Sequence, residues 1–173
     1  MSTHPSEVQV RTGRTADLPA LTDIYNHYVR ETAITFDTAV FSPEERQPWL
    51  LSHPEDGPHR LLVARDGTSG ELLGYATSSP FRAKPSYSTS VEVSVYLAPD
   101  AVGRGVGTLL YKHLFEALAD EDVHRAYAGI AQPNVPSTRL HERFGFRHLG
   151  TYREVGRKFG RYWDVAWYEK ALP

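Results

Sequence analysis

A glycine-rich loop between a strand-like and a helix-like segment is the feature that most limits the folds open to this chain. The loop reads Val102-Gly103-Arg104-Gly105-Val106-Gly107-Thr108. Three glycines at alternate positions permit positive φ angles and leave no Cβ atom to block a close ligand. Free N–H groups at the start of the following helix attract anions such as phosphate. The segment therefore predicts a diphosphate-binding loop, with a ligand-free glycine turn as the alternative.

The spacing inside this loop argues against two common nucleotide motifs. A dinucleotide fingerprint requires G-x-G-x-x-G, but position 108 is threonine. A Walker loop requires Gly-Lys-Ser/Thr after a four-residue gap, and that sequence is absent here. The expected ligand is therefore another diphosphate cofactor, with Arg104 adding positive charge at the rim of the loop.

The hydrophobic periods along the chain predict alternating strands and helices. Strands are expected at about Glu7–Gly13, Leu61–Ala64, Leu72–Thr77, Thr89–Leu97, Ala126–Ala131, Arg147–Val155 and Tyr162–Glu169. Helices are expected from a cap at Thr15 or Asp17, from the capping box at Ser42-Pro43-Glu44-Glu45, after Gly107 to near Asp120, and over Pro136–Phe144 before Gly145. The order β-α-α-β-β-β-α-β-α-β-β predicts an α/β (α+β) fold, a mixed sheet with helices on its faces.

The composition narrows the classes of protein and the surroundings to expect. The chain has 173 residues and no sign of an internal domain boundary, so a single domain is expected over 7–173. Residues 1–6 are expected to form a disordered tail. Without cysteine, the chain has no disulfide, thiolate metal site or cysteine nucleophile. A net charge of −2 gives no basic footprint for nucleic acid, and no apolar run is long enough for a membrane helix. The first residues lack the pattern of a signal peptide, so a cytoplasmic location is expected.

Several short blocks in combination resemble the GNAT superfamily of acyl-CoA-dependent N-acyltransferases, and within it the phosphinothricin and methionine sulfone/sulfoximine N-acetyltransferases. These blocks are Ile24-Tyr25-Asn26-His27-Tyr28, Val91-Glu92-Val93-Ser94-Val95-Tyr96, Gly103–Gly107, Pro133-Asn134-x-Pro-Ser137 with Leu140-His141-Glu142, and Lys158-Phe159-Gly160-Arg161-x-x-Asp164. The resemblance implies a mostly antiparallel central sheet with helices on both faces, acetyl-CoA as co-substrate, and a homodimer. Val102 departs from the family, which usually has Gln or Arg there.

Glu92 is the candidate general base. It lies in the middle of a strand, on the face opposite Val91 and Val93, where a charged group is costly unless it is paired or used. Burial there would raise its pKa toward neutrality, as suits a base. A solvated glutamate on an antiparallel strand is the ordinary alternative. The family resemblance favours the base, because similar acetyltransferases place theirs at this point.

The remaining cofactor and acid positions follow from the resemblance. It implies that backbone groups of Val95, Tyr96 and Leu97 bind the pantetheine arm and polarise the thioester, and that Asn134 and Ser137 assist. Turn formation and helix capping explain Asn134 and Ser137 equally well. His141 lies where many GNAT enzymes have the tyrosine that protonates the leaving thiolate; a surface histidine is the equal alternative. The loop residues expected to bind the cofactor are Gly103, Arg104, Gly105, Val106, Gly107 and Thr108.

The acceptor is expected beside the loop that precedes the Glu92 strand. Arginine matches the fork geometry of carboxylate and phosphinate oxygens, so Arg82 is favoured over Lys84 as the acceptor contact. Phe36 and Tyr87 are candidate apolar walls of the pocket, and Ser94 a candidate polar contact. None of the eight histidines has a convincing ligand partner, so no metal site is expected.

These residues predict an acetyl-CoA-dependent N-acetyltransferase that acts on the amine of a small amino-acid-like molecule. One alternative is an acyl-CoA-binding sensor or interaction protein with little turnover. Another is an acetyltransferase for a peptide N-terminus or a polyamine, although Arg82 and Lys84 disfavour a polycationic acceptor.

Overall fold

Within residues 7–173, which the computed structural model describes, seven strands form one sheet with four α-helices around it. The strands are β1 (Val8–Thr12), β2 (Leu61–Asp66), β3 (Leu72–Pro80), β4 (Ser90–Leu97), β5 (Arg125–Ala131), β6 (Arg147–Lys158) and β7 (Arg161–Ala171). The helices are α1 (Leu18–Glu31), α2 (Gln47–Leu51), α3 (Val106–Leu118) and α4 (Val135–Arg143). The predicted element order is confirmed. The tail predicted at 1–6 lies outside the described residues.

The sheet is mixed and mostly antiparallel, as predicted. Its strand order is β1-β2-β3-β4-β5-β7-β6. Neighbouring strands are antiparallel except β4 and β5, which are parallel. That parallel pairing extends only from Ser90 to Glu92 on β4 and from Arg125 to Tyr127 on β5. The two central strands therefore separate after a short contact, and the following half of β4 has no partner on that side.

The two faces of β4 pack against different helices, and this packing shows on which side of the sheet Glu92 lies. The Val91 and Val93 side chains are buried on one face, and Leu97 on that face lies beside Gly107 at the start of α3. The other face meets α1, because the Tyr25 and Tyr28 rings lie 5.4 and 5.3 Å from the Tyr96 ring. Helices therefore cover both faces of the sheet, and the Glu92 face is the one beneath α1.

The capping box predicted before α2 is confirmed, and both of its hydrogen bonds are present. Ser42 Oγ accepts from the Glu45 amide at 3.2 Å, and the Glu45 carboxylate accepts from the Ser42 amide at 3.1 Å. The chain then makes one 3-10 turn over Glu44–Arg46 and continues as only five residues of α-helix. This capping box fixes the direction in which Arg46 and the following turn approach the sheet.

Asp17, one of the two residues predicted to cap α1, is the N-cap residue, whereas Thr15 is not. The Asp17 side chain makes no capping hydrogen bond to the helix, because the chain enters α1 through a 3-10 turn over Thr15–Asp17. The Asp17 carboxylate instead forms a bidentate pair with Arg11 at 2.6 and 2.9 Å and accepts from the Arg14 amide at 2.8 Å. The carboxylate ties strand β1 to the beginning of α1.

The last two strands are longer than the pattern predicted. The β6–β7 hairpin runs to Lys158 and restarts at Arg161, with a register irregularity between Tyr152 and Gly156. Glu154 has φ +51 inside this irregularity, which breaks the side-chain alternation from which the strand was predicted.

Candidate active site

The glycine loop is an open cradle at the start of α3. Gly103 and Gly105 have φ values of +81° and +77°, and no atom lies within 4 Å of where a Cβ would stand on either residue. Gly105 is the N-cap of α3, so the helix begins at Val106 with its first N–H groups free of intrahelical partners. The loop is not filled by side chains, and its shape fits a diphosphate.

Two arginines of α4 supply the positive charge at this cradle. A cavity of about 310 Å³ beside the loop is lined by Gly103, Thr108, Arg139 and Arg143. Arg143 Nη2 lies 3.4 Å from Thr108 Oγ1. The sequence analysis missed both arginines, although their spacing of four residues places them on one face of a helix.

Arg104, the cation expected at the rim, is exposed and does not line this cavity. Val102 lines it with a half-exposed side chain. The positive charge at this cavity therefore comes from α4 and not from Arg104.

The gap between β4 and β5 begins where their pairing ends. A narrow cleft of about 50 Å³ follows it, lined on one side by Val93, Ser94, Val95 and Tyr96. The other side is lined by Ala128, Gly129, Ile130 and Ala131 of β5, and by Asn134, Ser137 and His141. Since no ladder bond reaches β4 past Glu92 from the β5 side, backbone groups there are free to bind an extended ligand. Leu97, also predicted here, lines the wider cavity between this cleft and the glycine loop.

Asn134 performs the structural role considered for it. Its side-chain oxygen accepts from the Ser137 amide at 3.2 Å and caps α4. Both residues also line the cleft, so the cap does not remove them from the candidate site. The amide nitrogen of Asn134 remains available to a ligand.

His141 is a buried residue and not a surface histidine, with 3% of its area exposed. Its Nδ1–H donates to the Ser137 carbonyl at 2.7 Å, which leaves Nε2 as an acceptor for the Tyr111 hydroxyl at 2.8 Å. Burial lowers the pKa of His141, opposed by the bond to Ser137, so the neutral ring is favoured. Tyr111, thirty residues away in sequence, was missed, and it lines the same cleft.

Glu92 lies at the last paired position of β4, half-buried. Burial raises the pKa of its carboxyl group, and the nearby Arg82 charge opposes that rise. Within residues 7–173, the carboxylate forms no ion pair of 4 Å or less. An uncompensated carboxylate with a raised pKa next to the cleft is suited to accept a proton.

Side chains of β3 and β4 together form the polar surface around Glu92, and this surface is called the floor of the site. Across the β3–β4 pairing, Ser79 stands opposite Glu92, Thr77 opposite Ser94, and Tyr75 opposite Tyr96. Except for Glu92, these side chains line a cavity of about 320 Å³ roofed by α1, the loop after it and α2. Ser94 thus lines both this cavity and the cleft, and its role as an acceptor contact stays a prediction.

Arg46 closes this cavity and was missed by the sequence analysis. Its guanidinium lies between aromatic rings, 4.3 Å from the centre of Tyr25 and 3.9 Å from that of Trp49. Nothing in the sequence distinguishes it from a solvated arginine in the first turn of a short helix.

The residues predicted for the acceptor divide between two places. Arg82 is exposed and lies over the Phe81 ring at 4.1 Å, in an aromatic pocket of about 310 Å³ with Tyr127 and Trp167. The Tyr87 ring approaches Phe81 at 6.0 Å.

Lys84 and Phe36 are not brought into either acceptor cavity. Lys84 is exposed and lines neither of them. Phe36 packs against the backbone of Gly156 in β6 instead.

In the part of the chain that the structure describes, no three His, Asp or Glu residues are grouped so as to hold a metal ion. Among the same residues, no helix is both long and apolar enough to cross a bilayer.

The central strands part beside a glycine-capped helix, and a half-buried carboxylate lies where they part. Comparison with known proteins identifies the class to which this arrangement belongs. The family described as "Acetyltransferase (GNAT) domain" matches residues 10–167, and the chain belongs to this family.

Individual relatives match over nearly the whole chain. Phosphinothricin N-acetyltransferase of Streptomyces coelicolor is 75% identical over 96% of this chain and 98% of its own length. L-methionine sulfoximine/L-methionine sulfone acetyltransferase of Pseudomonas paraeruginosa is 34% identical over 94% of each chain. A solved phosphinothricin acetyltransferase from Sinorhizobium meliloti, in complex with acetyl-CoA, superposes with a TM-score of 0.90 at 30% identity, covering 95% of this chain and 88% of the other.

Proposed function

We propose that the chain transfers the acetyl group of acetyl-CoA directly to the α-amine of a small amino-acid-like acceptor, of the phosphinothricin or methionine sulfone/sulfoximine type. The observation that carries this proposal is the half-buried Glu92 carboxylate at the point where β4 leaves β5, which pairs with no cation in the described part of the chain. The activities named for the Streptomyces and Pseudomonas relatives support the acceptor class.

The residues around the cleft fit acetyl-CoA. Open φ-positive glycines and free α3 amides suit the diphosphate, and Arg139 and Arg143 add positive charge beside them. The β4 edge from Val93 to Leu97 has no ladder pairing with β5 and offers hydrogen-bonding groups to an amide-containing arm, apart from the Leu97 carbonyl, which accepts from the Tyr28 hydroxyl. Acetyl-CoA supplies the acetyl group as a reactive thioester.

Glu92 acts as the general base. An amino-acid amine is protonated near neutral pH and cannot attack a carbonyl carbon until it loses a proton. Glu92 takes that proton, and its raised pKa makes it a stronger base than an ordinary glutamate. Positioned bases of this kind contribute roughly 10²–10⁴-fold to the rate.

Backbone amides on the free edge of β4, within Val95-Tyr96-Leu97, donate to the carbonyl oxygen as it becomes negative. A donor of this kind contributes about 3–4 kcal/mol to the transition state.

His141 contributes to the acid side of the reaction through Tyr111. In the neutral ring Nε2 has no proton to give, so His141 holds the Tyr111 hydroxyl and delivers a proton from Nε2 only as the imidazolium. The imidazolium takes its extra proton from solvent before the transfer. The Tyr111 hydroxyl then passes its own proton to the leaving thiolate and receives the one on Nε2, which returns His141 to the neutral ring.

On the acceptor side, Arg82 binds the carboxylate that every amino-acid acceptor carries. Its guanidinium faces the aromatic pocket and lies close enough to Glu92 to influence its titration. Tyr87 and Ser94 complete the walls around the acceptor. Lys84 and Phe36 stay predictions without a contact to support them.

Three expectations about the whole chain also remain proposals. Residues 7–173 act as one N-acetyltransferase domain, two copies associate as a homodimer, and the protein works in the cytoplasm. A sensor that binds acyl-CoA with little turnover is the second candidate, and the engagement of His141 and Tyr111 with each other is the observation that favours it.

Thiol release from acetyl-CoA across a panel of amino acids and analogues tests the proposal. We expect release with phosphinothricin or methionine sulfone and a loss of roughly 10²–10⁴-fold in Glu92→Gln. Glu116→Gln, an exposed carboxylate on α3, is the matched control and retains full activity. Binding of acetyl-CoA without release for any acceptor would support the sensor instead.

A further inference from the structure

Arg46 is a buried cation that has no anionic partner within residues 7–173. Only 7% of the surface of Arg46 is exposed, and its Nη1 atom has no hydrogen-bond partner within the described residues. Stacking on Tyr25 and Trp49 holds the guanidinium plane in place but satisfies none of its in-plane N–H groups. A guanidinium placed in this way is costly unless something else accepts its hydrogen bonds.

A second unpaired donor faces the same cavity. Tyr75 Oη is buried and also lacks a hydrogen-bond partner among the described residues. Burial raises the pKa of Tyr75, and both the positive charge of Arg46 and a side-chain interaction with it oppose that rise, so the guanidinium lies beside the hydroxyl oxygen. A tyrosine hydroxyl that accepts from a guanidinium still has its own proton to donate, and Arg46 has further N–H groups. The two side chains can therefore bind one oxygen atom of a ligand between them.

The carboxylates of this cavity are engaged elsewhere. Asp37 accepts from the Tyr25 hydroxyl, and Glu45 accepts from the Ser42 amide in the capping box. Both are exposed side chains at the rim, where water screens their charge, whereas Arg46 lies deeper. Arg46 is therefore the charged side chain that lies deepest among the described residues lining this cavity.

The cavity continues the floor that begins at Glu92. Ser79 and Ser94 are the neighbours of Glu92 across and along the strands, and both line the cavity together with Thr77. A molecule whose amine is held at Glu92 has its side chain directed along this polar floor. Arg82 and its aromatic pocket share no lining residue with this cavity.

Resting on the proposed function, we propose that Arg46 and Tyr75 form a side-chain subsite that selects acceptors bearing an anionic or strongly polar oxygen beyond the α-carbon. Arg46 Nη1 and Tyr75 Oη donate to that oxygen, and Arg82 is left to bind the carboxylate common to all acceptors. The preferred class is an amino acid with a phosphinate side chain, followed by a sulfone, followed by a thioether.

Three acceptors with the same chain length separate this role from a structural one: phosphinothricin, methionine sulfone and methionine. In Arg46→Met we expect kcat/KM to fall roughly 10- to 100-fold for phosphinothricin, the range for a lost charge-assisted hydrogen bond. The loss is smaller for the sulfone and smallest for methionine, while kcat at saturation changes little. Arg46→Lys restores part of the phosphinothricin preference, and Tyr75→Phe reproduces part of its loss.

Two controls complete the test. Arg65 of β2 also has an unpartnered buried Nε and does not line this cavity, so Arg65→Met leaves the order of the three acceptors unchanged. Arg82→Met lowers kcat/KM for all three to a similar extent. An equal loss for all three acceptors in Arg46→Met would overturn the subsite and make Arg46 a packing residue.

A binding measurement separates this proposal from the proposed function. Dimethylphosphinate carries the oxygen chemistry without an amine, and its binding is measured by NMR titration of the wild type and Arg46→Met. Binding that depends on Arg46, in a protein that acetylates no amino acid, would keep the subsite and remove the proposed reaction. No Arg46-dependent binding would remove the subsite even if acetylation is observed.

Discussion

Several ionisable side chains in this site are buried at a cost in free energy, and the surrounding fold holds them there. Glu92 is a half-buried carboxylate and Arg46 a buried guanidinium, and neither has an ion-pair partner within residues 7–173. His141 is a ring whose burial favours the neutral form. Each of these buried groups lowers the stability of the fold, so none is expected in a sequence optimised for stability alone. Their grouping around one face and one cleft of the sheet is a stronger sign of function than any of them singly.

At the residue scale, Glu92 predicts a pH profile. The base form is the ionised carboxylate, so kcat/KM falls as the pH is lowered through a pKa above the ordinary value of glutamate, because burial raises that pKa. Measuring initial rates across the acidic to neutral range gives this limb directly. The limb disappears in Glu92→Gln and persists in Glu116→Gln; its persistence in Glu92→Gln would assign the titration to another group.

The same shift predicts a change in stability. Because folding raises the pKa of Glu92, the folded state holds its proton more tightly, and stability is lost as the pH rises from the ordinary glutamate pKa through the raised one. A glutamine side chain cannot ionise, so we expect Glu92→Gln to be at least as stable as the wild type at neutral pH. Urea denaturation at acidic and neutral pH measures the difference, which should grow toward neutral pH. A less stable glutamine variant at neutral pH would contradict a desolvated carboxylate.

At the scale of elements, the glycine loop and α3 act as one unit. Gly105 has φ +77, and since a Cβ there would meet no atom, substitution is opposed by the backbone and not by space. We expect Gly105→Ala to lower the free energy of unfolding by about 1–2 kcal/mol, the cost of left-handed backbone for a residue with a Cβ. The KM for acetyl-CoA rises more than kcat falls, because the α3 amides lose their placement.

Gly160 supplies a matched control for this prediction. It has φ +70 with nothing within 4 Å of its missing Cβ, but it lies in the turn between β6 and β7. Gly160→Ala should lose similar stability and keep the KM for acetyl-CoA. An equal rise in KM for both variants would show that the loop acts only through global stability.

The join between β1 and α1 depends on Asp17. Burial alone would raise its pKa, but the hydrogen bonds from Arg11 and the Arg14 amide prevail and lower it. A folded pKa below the unfolded one contributes stability above the unfolded pKa, and that contribution is lost as the pH falls through the folded value. Asp17→Asn should therefore destabilise the protein by about 1–3 kcal/mol at neutral pH.

Denaturation of the Asp17→Asn variant at several pH values tests this join. The difference from the wild type should shrink toward acidic pH, since both then lack the charge. Asp23→Asn on the exposed side of α1 is the control and changes stability little. A loss that does not depend on pH would assign the effect to packing.

The elements that could be predicted were those specified by local chemistry. The alternation around Glu92, the Ser42–Glu45 capping box and the positive-φ glycines each depend on residues within a few positions of one another. Arg46 and His141 could not be placed, because part of what buries each of them comes from a distant element. The Tyr25 ring on Arg46 belongs to α1, although Trp49 is only three residues away, and Tyr111 lies thirty residues before His141. Local patterns therefore predict the frame of the site but not which polar side chains the frame encloses.

At the scale of the whole molecule, the β6–β7 hairpin forms one end of the sheet. β6 is a twelve-residue strand at the edge of the strand order. Half-exposed hydrophobic side chains are concentrated along it and its turn: Leu149, Tyr152, Val155, Phe159 and Tyr162. A long edge strand with apolar side chains is normally covered by another chain or protected by charge. Lys158 Nζ joins this hairpin to the Thr35 carbonyl at 2.8 Å, in the segment that leads to Asp37 of the acceptor cavity.

The exposed apolar surface of the β6–β7 hairpin predicts a homodimer in which a second copy of the chain covers the hairpin. We expect light scattering after gel filtration to give twice the 19.5 kDa of one chain at micromolar concentration. Val155→Lys, which places a charge on a side chain 56% exposed on β6, should give the monomer. Val40→Lys, a 50% exposed valine outside the hairpin, should leave the dimer intact. Because the hairpin is tied to the acceptor cavity through Lys158, the monomer should also have a raised KM for the acceptor with an unchanged KM for acetyl-CoA. A monomeric wild type, or loss of the dimer in both variants, would show that this surface does not mediate association.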